Sequence, residues 1–140
     1  MSTLTNARAS YLADQVMSAS PPRLLTMLYD RLLLDLARAA KAQADQDWPA
    51  ASAQLIHAQQ IVTELMTSLD LDAWDGAQNL HAIYAYALTQ LVEANTGRDR
   101  AITSALIEIL EPLRQTWHEA AQLASAGAPG SAPTGALGIG

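Results

Sequence analysis

The chain is 140 residues long, half of them hydrophobic but only 5% aromatic, with no phenylalanine; this fits one domain with an aliphatic core. A formal net charge of −6, with Lys41 as the sole lysine, argues against a phosphate-binding surface and so against nucleic acid as a partner. The lack of cysteine excludes disulfides and thiol catalysis, and no apolar run approaches the roughly 20 residues that insertion into a bilayer requires.

In sequence order, residues 1–19 read as a leader segment. Its apolar side chains (Tyr11, Leu12, Val16, Met17) are too few to fold alone, and it lacks the basic and apolar regions of a secretory signal. Four helical stretches follow over residues 20–124. The first opens at Ser20-Pro21-Pro22, with Ser20 as cap and Pro21 at the first helical position, and runs to about Gln43. Asp47 caps the second, which carries Pro49 in its first turn and reaches about Leu69. Asp75 and Gln78 form a capping box for the third, and Gly97 ends it in a left-handed conformation. Asp99 caps the fourth, which runs to about Ala124 with Pro112 inside it, on the side away from the core. Residues 125–140, rich in Ala, Gly, Pro and Ser, read as a disordered tail. Connections this short make neighbouring helices antiparallel, so the expected fold is an all-α, up-down-up-down four-helix bundle.

At about 100° per residue, each helix gathers an apolar arc. These arcs contain Leu24, Leu25, Leu28, Tyr29, Leu32, Leu33 and Leu36; Leu55, Ala58, Ile61, Val62, Leu65, Met66 and Leu69; Leu80, Ile83, Tyr84, Leu88, Leu91 and Val92; and Ile102, Leu106, Ile109, Leu110, Leu113 and Trp117. Off the arcs, or at their edges, stand Met27 and Leu34 among Arg23, Arg31 and Arg38, together with Ile56, Tyr86 and Ile107. Singly such residues are ordinary surface. Several of them, with Tyr11 and Val16 of an apolar leader, are the expected lining of a groove for another protein.

Chemistry is harder to find. A carboxylate-bridged metal bundle needs Glu-x-x-His pairs, yet Gln54, Gln78 and Gln115 precede His57, His81 and His118 by three residues. Glu64, Glu93 and Glu108 fall on polar faces, His81 at an arc boundary, and no nucleotide-binding or nucleophile motif occurs. Asn95, inside the third arc, is expected to satisfy backbone groups at the nearby turn. No enzyme, metal or cofactor is expected.

One set of residues carries a resemblance. Tyr11, Ala19-Ser20-Pro21 and Met27-Leu28-Tyr29-Asp30 are followed in order by Ile61 to Leu65, Leu69-Asp70, Asn79-Leu80, Tyr84-Ala85-Tyr86, Leu91, Ala94-Asn95, Leu113-Arg114 and Trp117. This pattern resembles the FliS-type flagellar secretion chaperones over roughly residues 11 to 120. Arg31 and Ala85 depart from it, where the family usually carries a small residue and an acidic or polar one. The resemblance implies a cytoplasmic chaperone that binds the disordered C-terminal segment of flagellin, prevents premature polymerisation and presents the subunit to the flagellar type III export machinery. It also implies that the region around Tyr11 can lie against the bundle; there the leader is expected to act as a displaceable pseudo-ligand, the alternative being a short extra helix packed permanently. The alternative is a non-catalytic helical-bundle module whose off-arc residues serve homotypic assembly.

Overall fold

Four helices make up most of residues 21–127, which the computed structural model describes: α1 (Pro21–Ala44), α2 (Trp48–Thr67), α3 (Ala77–Thr96) and α4 (Arg100–Gly127). No strand occurs among the described residues. The caps show why the helices begin and end where they do. Asp47 accepts a hydrogen bond from the Ala50 N–H at 3.2 Å, and Asp99 accepts one from the Ala101 N–H at 3.0 Å, as N-terminal caps should. The Ser20 cap, the leader with Tyr11 and Val16, and residues 128–140 lie outside the described residues.

Three expected boundaries are corrected. Helix α3 begins after Gly76 without a cap from any side chain, so Asp75 and Gln78 form no capping box. The segment from Asp70 folds instead into tight turns, in which Asp70 accepts from the Asp72 and Ala73 N–H groups. Gly97 keeps a right-handed φ of −89°, and Arg98, at φ 51°, takes the left-handed turn in its place. Helix α2 stops at Thr67, two residues early. There the Thr67 and Ser68 hydroxyls donate to the Thr63 and Glu64 carbonyls at 2.9 and 2.8 Å, a local competition that loosens the last turn. Helix α4 continues through Pro112, as expected, and extends past Ala124 to Gly127.

The described residues belong to two compact units. The larger, residues 28–113, contains all of α2 and α3 with most of α1 and part of α4. Ser52, near the start of α2, meets Asn95, near the end of α3, so these helices are antiparallel. Tyr29 pairs with Tyr84, and Gln43 with Ala94, so α1 and α3 run in parallel. Three residues, Gly97 to Asp99, then turn the backbone into α4, completing the up-down-up-down bundle. The smaller unit contains the outer ends of α1 and α4, residues 21–27 and 114–127 among those described; in it the Thr26 hydroxyl donates to the Arg23 carbonyl at 2.7 Å.

Within residues 28–113 the core is a set of narrow seams. On α3 the buried residues are Ala77, Leu80, Tyr84, Ala87, Leu91 and Ala94, an alternation of three and four that recurs every seven residues. On α2 they are Ala51, Leu55, Ala58, Ile61, Val62 and Leu65, and α4 adds Thr103, Leu106 and Leu110. Alanines at the seams let helix axes approach closely, since the spacing follows the side chains at the contact. A seam this narrow leaves Val92 and Ile109 outside. Both were expected in the core, and both are exposed, each about 100° round the helix from a buried leucine.

Candidate functional site

The groups with unusual surroundings are buried polar ones, and they hold the bundle together. The Tyr29 and Tyr84 hydroxyls share a buried hydrogen bond of 2.7 Å, with ring centroids 6.5 Å apart. Burial, then the neighbouring Tyr29, pushes the Tyr84 phenol well above its ordinary pKa, so it stays protonated. Asp35 is fully buried between two partners. Arg31 Nε donates to its Oδ1 at 3.0 Å, one turn away on the same helix, while its Oδ2 pairs with His57 Nδ1 of α2. The sequence reading missed this cluster. Its signal was Asp35 itself, three residues after Leu32 and seven after Leu28, on the apolar arc where an ionised side chain must be paired. Asn95 is also corrected. Its amide donates not to a turn but to the Ser52 hydroxyl across α2 and α3, at 3.2 Å.

Among the described residues no three His, Cys, Asp or Glu side chains are grouped so as to hold a metal. What stands out is apolar surface. Within residues 28–113, Leu34, Ile56 and Tyr86 are 41%, 47% and 52% exposed, and Ile107 is half-buried. They stand on four different helices, and no hydrogen bond or ring contact among the described residues links them. Met27, in the smaller unit, is 38% exposed. Tyr84 and Tyr86 show how one motif divides. Two steps along a helix turn by about 200°, so the first tyrosine enters the core and the second faces outward.

The sequence reading missed further exposed apolar residues: Val92 on α3, Ile109 on α4, and Leu71 and Trp74 in the α2–α3 connection. The outer face of α3 presents Ala82, Ala85, Tyr86, Thr89 and Val92 to solvent. Helices α2 and α3 carry only one acidic residue each, Glu64 and Glu93, and no Lys or Arg, whereas α1 exposes Arg23, Arg31, Arg38 and Lys41. Weakly charged helical faces with protruding apolar side chains suit an amphipathic partner rather than a small polar substrate. No helix among the described residues is long and apolar enough to cross a membrane.

Comparison with known proteins agrees with this geometry. The family model described as "Flagellar protein FliS" matches residues 4–124. The flagellar secretion chaperone FliS of Escherichia coli (strain K12) is 33% identical over 106 residues, covering 74% of this chain and 78% of that protein. The Bacillus subtilis (strain 168) protein of the same name is 29% identical over 119 residues, covering 85% and 89%. The flagellar secretion chaperone FliSB of Pseudomonas aeruginosa is 31% identical over 104 residues, covering 74% and 82%.

Proposed function

Starting from a chain that belongs to the FliS family of flagellar secretion chaperones, and so is no enzyme, we propose that it binds the C-terminal segment of flagellin in the cytoplasm. In this reading it keeps the subunit from polymerising early and delivers it to the flagellar export machinery. The observation that carries the proposal is the set of apolar side chains exposed on the 28–113 unit, together with the weakly charged faces of α2 and α3. Leu34, Ile56, Tyr86 and Ile107 are its proposed contacts there. Met27 is proposed separately for the smaller unit. Tyr11 and Val16 are proposed on the sequence alone.

The physical logic is that of coupled folding and binding. A filament-forming segment carries an apolar stripe that drives self-association, and covering that stripe removes the drive. The segment is unfolded before binding, so ordering it consumes part of the interaction energy and leaves an affinity compatible with release. Mixing the purified protein with a peptide of the flagellin C-terminal segment tests this. A heterocomplex on size exclusion, with more helix than the two components separately, is expected. Two unshifted peaks would refute it.

A further inference from the structure

At the end of the 28–113 unit where α1 gives way to α2 and α3 to α4 lies a cavity of about 450 Å³, with Gln43, Trp48, Ser52, Asn95 and Arg98 among its lining residues. Three features there exceed what packing the bundle requires. Gln43 is only 4% exposed. Its Nε2 donates to the Ala94 carbonyl at 3.1 Å, which fixes the orientation of the amide, because a carbonyl oxygen takes only a donor. That leaves Gln43 Oε1 as a buried acceptor that meets no donor among the described residues, an expensive state for a buried amide.

The second feature is Arg98. Its φ of 51° places a long side chain in a conformation that glycine adopts without penalty, although Gly97 stands next to it at −89°. The third is where that side chain goes. Its guanidinium lies over the Trp48 ring, 5.1 Å from the centroid, and no carboxylate among the described residues pairs with it. This cation–π contact engages no hydrogen-bond acceptor and leaves guanidinium N–H groups for another partner. Ser52 Oγ accepts from Asn95, so its own proton remains available to donate. No acidic residue lines the cavity to repel an anion.

We propose that this cavity binds a peptide carboxylate that adjoins an amide N–H, the arrangement found at the C-terminus of a polypeptide. The carboxylate lies on the Arg98 fork with Ser52 as second donor, and the neighbouring N–H is directed to Gln43 Oε1. Trp48 holds the guanidinium in position before the ligand arrives. The volume is within the range of about 300–1,000 Å³ typical of small-ligand sites. The same chemistry is offered by an acidic side chain beside its own backbone. The site does not depend on flagellin being the export substrate, and either proposal can fail without the other.

The test is a titration of the full-length protein followed by its Trp48 indole and Gln43 amide resonances. The probes are N-acetyl-alanyl-alanine, the same compound as its C-terminal amide, and N-acetyl-aspartyl-alanine amide, whose only carboxylate is a side chain. Saturable shifts with the free acid, absent with its amide, are expected. Arg98→Gly, which keeps the left-handed turn accessible, should weaken binding by about tenfold or more, the loss of one charge-assisted contact, without lowering Tm. Binding of the aspartyl compound instead would support the site and assign the carboxylate to a side chain. Failure of both acids to shift these resonances, equal binding of the alanyl amide, or undiminished binding by Arg98→Gly would overturn it.

Discussion

The buried hydroxyls of Tyr29 and Tyr84 share one hydrogen bond, so replacements at the two positions should be energetically coupled. Tyr84→Phe removes that bond, with an expected loss of about 0.5–1.5 kcal/mol, and the double phenylalanine variant should lose less than the sum of the two single variants. Denaturant melts of the four proteins measure this cycle. The same site sets a pH limit. In the unfolded state the Tyr84 phenol titrates near its ordinary value of about 10. Its folded value is raised, so its contribution to stability is complete below that pH and is lost as pH rises above it. Tyr84→Phe should therefore flatten the alkaline limb of the stability profile. For Asp35, His57→Leu leaves a buried carboxylate with Arg31 as its one remaining partner, for an expected loss of about 1–3 kcal/mol. Replacing both Asp35 and His57 with leucine should restore stability, because a well-packed apolar pair removes the desolvation cost. A double variant as unstable as the single one would show that Asp35 has a further role.

At the scale of elements, the punctuation was legible where a side chain alone makes the cap, as with Asp47 and Asp99. It failed where backbone geometry decides, at Gly76 and at the exchange of roles between Gly97 and Arg98. Gly76 has an ordinary φ of −80°, and its reason is space: a Cβ there would collide with the Trp74 ring. Trp74 is half exposed and free to swing outward. Gly76→Ala is thus expected to shift the Trp74 indole resonance while changing stability by less than about 1 kcal/mol. Pro112 sits on the exposed side of α4 and supplies no N–H to the helix ladder. Pro112→Ala should raise stability, by about 1–3 kcal/mol, given a penalty near 3 kcal/mol for proline inside a helix. Unchanged Tm would mean that the helix already accommodates the ring without strain.

For the molecule as a whole, periodicity and punctuation disclosed four helices and their order, because each arc is long and its connections short. The core was read too widely. Arcs weighted by large side chains admitted Val92 and Ile109 and passed over Ala51, Ala77, Ala87 and Ala94, whose small size is what lets the helices meet. Cross-helix polar pairs such as Asp35 with His57 were illegible, since they depend on which helices become neighbours. The exposed apolar positions were legible one helix at a time, from phase alone. Their joint use as one surface is a property of the partner that covers them. Calorimetric titration with a flagellin C-terminal peptide therefore tests the chaperone reading most directly, using the wild type, Ile56→Glu and Tyr86→Glu. Saturable binding by the wild type, weakened about tenfold or more by each exposed substitution while Tm holds, is the expected result. No heat of binding with the wild type, or equal affinity in all three proteins, would contradict it.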